Sequence, residues 1–175
     1  MEMELEARCF KTDWGFLGMA FNGPALRVLT LPEPGHDQAV QALSGPWRLR
    51  WGPVGEGLEE VLRHYFSGRG PIDYHGPLDY GNLTPFQAAV MNGMRAIPFG
   101  GVASYGELAA SAGRPRAARA AGSVCARNPL PLVVPCHRVV AQGGGLGGFG
   151  GGLQMKERLL ILEGIDVKGG RVVGR

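Results

Sequence analysis

The first third of the chain alternates quickly between apolar and polar positions, and the last half does not. Residues 4–10 alternate along Glu4-Leu5-Glu6-Ala7-Arg8-Cys9-Phe10, which predicts a half-buried strand. Residues 16–21 and 25–31 are short apolar runs separated by Asn22-Gly23-Pro24, which reads as a β-hairpin. Leu58, Val61, Leu62, Tyr65 and Phe66 then recur at helical spacing until Gly68 stops them. Residues 67–84, rich in Gly, Pro and Asp, read as a connector between two lobes.

From Thr84 onward the periods are helical. Thr84-Pro85-Phe86-Gln87 is a capping box with proline at the first helical position, and Phe86, Val90, Met94 and Ile97 form its apolar stripe. Ser104-Tyr105-Gly106-Glu107 is a second capping box, opening a short helix through Ala112. Gly113 breaks the chain, and a further helix is predicted from Pro115 to about Ala126. Two short helices around a glycine turn fit a helix-turn-helix, although the same arrangement also serves for packing alone. A last helix covers residues 153–163, with Leu159, Leu160 and Leu162 apolar and Gly164 as its cap. The expected organisation is a variable lobe over residues 1–80, a helical domain over 84–167 and a tail over 168–175.

Composition adds little to that division. The chain has 175 residues, 45% of them hydrophobic and 19% charged, and its 30 glycines and 13 prolines sit between the periodic segments. Such a composition belongs to a globular protein rather than to a repeat or a disordered chain. No apolar run approaches the ~18 residues of a membrane span, and the acidic start lacks the apolar core of a signal peptide. A cytoplasmic location is therefore expected. Cys9, Cys125 and Cys136 form neither CxxC pairs nor a zinc pattern, so no disulfide framework and no metal are expected.

Charge changes the picture only locally. The net charge is +3, but between Ser104 and Arg138 five arginines (114, 116, 119, 127 and 138) stand against Glu107 alone. That stretch is either a phosphate-facing surface or an ordinary solvated helix face. The helix it includes carries Ala117, Ala118, Ala120, Ala121 and Gly122 around Arg116 and Arg119. Small side chains let a backbone approach another surface closely, whether a DNA groove or a neighbouring helix. The arginines favour an exposed contact face.

The chemistry-bearing stretch is Val133-Val134-Pro135-Cys136-His137-Arg138-Val139-Val140. A free thiol is only slightly ionised at neutral pH, so a nucleophilic cysteine needs a base or a cation nearby. His137 is adjacent in sequence, which does not guarantee contact; the alternative is a buried cysteine beside an ordinary histidine. Next comes a segment with eight glycines in residues 143–152, either a loose surface loop or one whose amides approach a ligand. Glu163 closes the last helix at its negative end, where a carboxylate is disfavoured; it is either an incidental surface acid or one held there to orient a histidine.

Pro135-Cys136-His137-Arg138-Val139-Val140 resembles the active-site motif of the O6-alkylguanine-DNA alkyltransferases, the methylated-DNA–protein-cysteine methyltransferases. The similarity extends from Thr84 to Ile165. It takes in Thr84-Pro85-Phe86-Gln87, Ser104-Tyr105-Gly106-Glu107-Leu108-Ala109, Ala117-Ala118-Arg119-Ala120, Asn128-Pro129, and Gly151-Gly152-Leu153 through Lys156-Glu157 to Glu163-Gly164. Before Thr84 it is weak. The resemblance implies an α+β protein with a ribonuclease H-like mixed α/β lobe, then a winged-helix-like domain with a helix-turn-helix. It implies single-turnover, self-inactivating transfer of an alkyl group from O6-alkylguanine, and possible action on O4-alkylthymine, with no cofactor. The implied partner is double-stranded DNA bound through its minor groove by a monomer, with the damaged nucleotide flipped out.

By that resemblance Cys136 accepts the alkyl group, and His137 acts as base through a water, held by Glu163. Asn128 secures the turn presenting the cysteine, and Tyr105 donates a proton to the guanine ring. Arg119 fills the space left by the flipped nucleotide, while Ser104, Arg116, Ala117, Ala118, Ala120 and Gly122 complete the DNA-binding set. Val139, Phe149, Gly150 and Pro131 form the guanine pocket. Met91, Phe149 and Gly150 depart from residues common in the family (tryptophan, tyrosine and serine), which touches packing and pocket shape. A cysteine hydrolase and a lesion-sensing module without chemistry are the rival readings; the first leaves Arg119 unexplained, and the second does not need Cys136. His36, His64 and His75 are expected to be ordinary surface or packing residues, Cys9 a strand residue and Cys125 a buried one.

Overall fold

The computed structural model describes residues 3–174; Met1 and Glu2 of the expected first lobe and Arg175 of the expected tail lie outside them. The chain divides into two compact units, Met1–Gly81 and Asn82–Arg175.

The first unit is built on a four-stranded sheet in the order β3-β2-β1-β4. Strands β1 (Met3–Thr12), β2 (Gly15–Asn22) and β3 (Ala25–Leu29) form an antiparallel meander, so the expected hairpin is present. Alternation along β1 and β2 sorts their side chains by face. Leu5, Ala7 and Ala20 bury with Leu43 at the end of α1 (His36–Ala42). On the other face, Arg8 bridges Glu59 of α2 (Glu56–Phe66) at 2.7 Å. Helix α1 and strand β4 (Trp47–Trp51) are not among the elements read from the sequence. Helix α1 has no side-chain cap and one buried residue, Ala39, so it leaves almost no periodic signal. Strand β4 does alternate (Trp47-Arg48-Leu49-Arg50-Trp51), and it pairs parallel to β1 at the sheet edge. The connector carries no helix or strand; Leu26 and Leu78 make an isolated bridge there.

The second unit contains α3 (Pro85–Arg95), α4 (Tyr105–Ser111), α5 (Ala118–Ala126) and α6 (Leu153–Leu162). Both expected capping boxes form, at Thr84/Gln87 and Ser104/Glu107. The stripe of α3 differs in detail: Val90, Met91 and Met94 are buried, whereas Phe86 is half-buried beneath the Arg114 guanidinium. Helix α4 ends in a Schellman motif. Gly113 takes φ +77°, its N–H donates to Ala110 O, and Arg114 N donates to Ala109 O.

Helix α5 starts at Ala118, three residues later than the sequence predicts. Pro115 and Arg116 form a separate turn, closed by Ala117 N donating to Arg114 O at 2.9 Å, so the proline redirects the chain instead of opening the helix. The two-residue strands β5 (Ala103–Ser104) and β6 (Val139–Val140) pair in parallel, tying the start of α4 to the segment after Cys136. Residues 167–172 form a short hairpin, β7 (Val167–Lys168) with β8 (Arg171–Val172). Val167 and Val172 pack with Leu146, Leu160 and Ile165.

Candidate active site

The segment before Cys136 is folded by one side chain. Asn128 Oδ1 accepts from Leu130 N at 3.0 Å, and its amide donates to Val134 O at 2.7 Å. That clasp encloses Leu132, held at φ +75°, a strained value for a leucine. Val134 O also accepts from Cys136 N at 2.8 Å across Pro135, whose φ −79° and ψ 67° are those of an inverse γ-turn. Cys136–Arg138 then forms a single 3-10 turn. Proline fixes one dihedral of the turn and Asn128 fixes its entrance, so the thiol is placed by backbone geometry.

His137 and Arg138 both turn inward onto Glu163. His137 Nε2 donates to Glu163 Oε1 at 2.8 Å, while Arg138 reaches Oε2 through Nε at 2.8 Å and Oε1 through an amino group at 3.0 Å. Gly100 N donates to Oε2 at 3.3 Å, and Arg138 donates to Ile97 O at 2.7 Å. Helix α6 presents the acid through its own Schellman motif: Gly164 N donates to Ile161 O and Ile165 N to Leu160 O, with Ile165 and Leu160 in one apolar cluster. Glu163 is thereby the last residue before the left-handed glycine, and its carboxylate faces the interior.

These contacts decide the protonation states. Burial alone would neutralise Glu163, but the hydrogen bonds and charges of His137 and Arg138 outweigh it and hold the carboxyl down at about 2. Burial lowers the pKa of His137 below its ordinary value, against the opposing pull of Glu163. The pair is therefore a carboxylate accepting from a neutral imidazole. An acceptor-only carboxylate at Nε2 places the ring proton there and leaves Nδ1 as a lone pair. Nδ1 is buried and has no hydrogen-bond partner among the described residues.

Cys136 lines a cavity of about 610 Å³ together with Tyr105, Gly122, Cys125, Phe149 and Gly150. Cys136 is 7% exposed, and burial pushes its thiol pKa up; the Asn128 amide and the Lys156 ammonium work in the opposite direction. Tyr105 donates to Gly148 O at 3.3 Å, and burial raises its pKa too. Gly147 has φ +68°, and a Cβ there would lie 2.9 Å from the Tyr105 ring. The glycine-rich loop is thus pressed against Tyr105.

The cavity gathers several residues that the sequence points to: Arg119, Ala118 and Gly122 from α5, with Tyr105, Cys136, Phe149 and Gly150. Ala120 lines a different cavity with Thr84, Arg114 and Arg127. Arg116 is exposed in the turn before α5, and Ala117 is its N-cap. Ser104 is buried in its capping box, Val139 is buried in β6, and Pro131 bridges Val134. Two expectations change. Arg138 is not part of the basic surface, because it is buried on Glu163; the exposed set is Arg114, Arg116, Arg119 and Arg127. Cys125 is half-buried and lines the cavity, because the small residues of α5 leave that face open. Lys156 is the site residue that sequence reasoning misses. It is fully buried on the apolar side of α6, beside Leu159 and Leu160; the family resemblance includes Lys156-Glu157 but gives the lysine no role.

Residues 85–165 match the family described as 6-O-methylguanine DNA methyltransferase, DNA binding domain. A methylated-DNA–protein-cysteine methyltransferase of Shigella flexneri is 48% identical over 108 residues, covering 62% of this chain and 63% of that protein. The chain thus matches just under two thirds of the length of that relative. The protein of the same name from Mycolicibacterium paratuberculosis is 36% identical over 159 residues, 91% of this chain and 92% of its own. The structure of Mycobacterium tuberculosis OGT in complex with DNA superposes with a TM-score of 0.76 at 34% identity, covering 90% of this chain and 92% of that one.

Proposed function

The chain belongs to the methylated-DNA–protein-cysteine methyltransferase family, and on that premise we propose that it repairs DNA by moving an alkyl group from O6 of guanine onto Cys136. The observation that carries this reading is the position of Cys136. Its thiol opens into a cavity bounded by the small-residue helix α5, and behind it lies the neutral His137 on Glu163.

In the step proposed, His137 Nδ1 takes the thiol proton through a bridging water. The sulfur attacks the sp³ carbon on O6, the carbon–oxygen bond breaks, and its electron pair goes to the guanine. Tyr105 supplies the proton that neutralises the base, and the proton held by His137 returns to the phenolate by way of solvent. The products are guanine and a thioether, which water does not cleave, so each molecule acts once. No cofactor takes part.

A duplex buries the reacting carbon, so the nucleotide has to swing out at a cost of a few kcal/mol. Helix α5 is suited to bringing this about. Ala118 and Gly122 keep its surface low for close approach in a minor groove, and Arg119 stands exposed on it to fill the stack. Arg116 and the backbone near Ala117, Ala120 and Ser104 serve the phosphates. Val139, Pro131, Phe149 and Gly150 shape the guanine pocket. In this reading α4 and α5 are the helix-turn-helix of a winged-helix-like domain over residues 84–167, which acts as a cytoplasmic monomer. The sheet order β3-β2-β1-β4 supports a ribonuclease H-like lobe over residues 1–80.

The test is the intact mass of the protein before and after mixing with a duplex carrying one O6-methylguanine. A stoichiometric gain of one methyl in place of the thiol proton, absent in Cys136→Ala, is expected. Tight binding with no gain in mass would replace this reading with lesion sensing, and repeated turnover would replace it with hydrolysis.

A further inference from the structure

Lys156 is a buried cation that the proposed transfer does not use and that, unlike Arg138, has no carboxylate among its hydrogen-bond partners in the described residues. It sits on α6 with 0% exposure, and its ammonium is enclosed by backbone oxygens. Nζ donates to Val139 O at 2.6 Å, to Leu146 O, and to Gly148 O at 3.2 Å. Val139 follows directly on the Cys136 turn, whereas Leu146 and Gly148 belong to the glycine-rich loop. Gly148 O also accepts from Tyr105, and Nζ lies 5.9 Å from the centre of the Tyr105 ring. One ammonium therefore ties together the thiol-bearing turn, the loop and the tyrosine.

A fully buried lysine is rare because desolvating an ammonium is costly. If packing were its whole purpose, methionine would fill the volume without that cost. An ammonium supplies two things methionine lacks: three donors for carbonyls on separate segments, and a positive charge beside the cysteine.

We propose that Lys156 is a positioning residue for the alkyl transfer, which clamps the two walls of the Cys136 cavity together and stabilises the thiolate. The inference rests on the alkyl-transfer reading for its reaction, but the effect on the thiol can be read without DNA. The titratable groups that face the ammonium are Tyr105 from α4, Cys125 from α5, and Cys136 and His137 from the 3-10 turn. Burial lowers the pKa of Lys156 to about 8, and the two cysteines oppose that shift. The lysine thus remains largely charged at neutral pH and loses its charge in mild alkali.

The experiment compares wild-type protein with Lys156→Met and Lys156→Arg. The first readout is the pH midpoint of Cys136 alkylation by iodoacetamide in the absence of DNA, located by peptide mass. The second is the methyl-transfer rate from an O6-methylguanine duplex, and the third is affinity for undamaged duplex. In Lys156→Met the thiol midpoint is expected to rise by about one unit or more, and transfer at neutral pH to slow by about tenfold or more. Affinity for undamaged DNA is expected to stay unchanged, and Lys156→Arg, which keeps the charge, to recover part of the midpoint. A midpoint in Lys156→Met equal to that of wild type would overturn the proposal.

Wild-type protein that gains no methyl would defeat the alkyl-transfer reading instead, and the midpoints would still decide the role of Lys156 toward the thiol. Because the methionine variant could fail to fold, the wild type offers a second measurement. The chain has three lysines, Lys11, Lys156 and Lys168, so a side-chain ¹⁵N spectrum is easily assigned. One ammonium protected from solvent exchange, lost in step with the alkaline decline of the transfer rate, is expected. Three rapidly exchanging ammonium groups would refute the clamp.

Discussion

Replacing Glu163 with glutamine keeps the shape of the side chain and removes its charge, and the consequences can be worked out from its contacts. The carboxylate accepts from His137, from two nitrogens of Arg138 and from Gly100 N, all with little access to water. An amide has only one acceptor oxygen, so its NH2 group must face either His137 or Arg138, and the buried guanidinium loses its counter-charge. Breaking a buried pair by neutralising one partner costs about 3–5 kcal/mol. For a chain of this size each kcal/mol lowers Tm by about 2–4 °C, so Glu163→Gln is expected to melt about 6–20 °C below wild type.

The rate should suffer separately. The carboxylate fixes the proton on Nε2 of His137 and leaves Nδ1 free to accept; an amide fixes neither tautomer. Loss of tautomer control at an acid-held histidine reduces catalysis by up to about 10⁴-fold in a serine protease triad. A loss of about 10²-fold or more is expected here, measured well below the melting temperature by single-turnover methyl transfer. Thermal unfolding followed by circular dichroism gives the first quantity. A variant that melts within about 2 °C of wild type and transfers at the same rate would refute the reasoning, since neither the ion pair nor the tautomer would then matter.

Three further outcomes are expected. The Glu163 pKa falls from 4.5 to about 2 on folding, so its contribution is complete above pH 4.5 and disappears as pH falls toward about 2. The lowered pKa of the buried His137 acts in the same direction below its ordinary value of 6.5. Urea titrations should show stability falling by roughly 3 kcal/mol through the Glu163 window, and that loss should be absent in Glu163→Gln. Arg119→Ala should slow methyl transfer from duplex by about 10- to 100-fold, the equivalent of part of the flipping cost. The free O6-methylguanine base should react at an unchanged rate; an equal loss on both substrates would remove Arg119 from the flipping step. Gly147→Ala combines φ +68° with a Cβ 2.9 Å from the Tyr105 ring. It should cost about 1–3 kcal/mol and slow transfer while leaving affinity for undamaged duplex intact, and wild-type values for both would show that the loop yields freely.

What the sequence discloses depends on how locally each signal is written. Capping boxes occupy four consecutive residues, so Thr84 and Ser104 announce α3 and α4 to the residue. The start of α5 does not follow from its proline, because Pro115 serves equally well inside a turn. Only the Ala117–Arg114 hydrogen bond decides between the two. Helix α1 is silent because a short helix burying little more than Ala39 carries no period, whereas the alternation of β4 is present but spans only five residues. At the site, Cys136 and His137 stand together in one motif. Glu163 stands out because a carboxylate at a helix C-terminus calls for a partner. Arg138 is misplaced among the surface cations, since charge counting cannot tell a guanidinium in water from one folded onto an acid. Lys156 falls within the stretch that resembles the family but is given no role there, because its partners are backbone carbonyls, which a side-chain pattern does not show.

On the alkyl-transfer reading, the buried charges also favour the reaction of a thiol that burial holds protonated. Arg138 and Glu163 cancel one another, and that cancellation leaves His137 neutral and able to accept a proton. Lys156 has no carboxylate among its hydrogen-bond partners in the described residues; carbonyl dipoles stabilise it, but they do not neutralise it. With Cys136 protonated, the cluster of Arg138, Glu163, Lys156 and Cys136 carries one uncompensated positive charge. Ionising the thiol brings the sum to zero. Burial penalises an isolated thiolate, but here the alternative to the thiolate is an isolated ammonium, so part of the desolvation penalty is common to both states and drops out of their difference. On the alkyl-transfer reading, a mostly apolar cavity that admits an alkylated base and a cysteine that reacts are thereby compatible in one small domain.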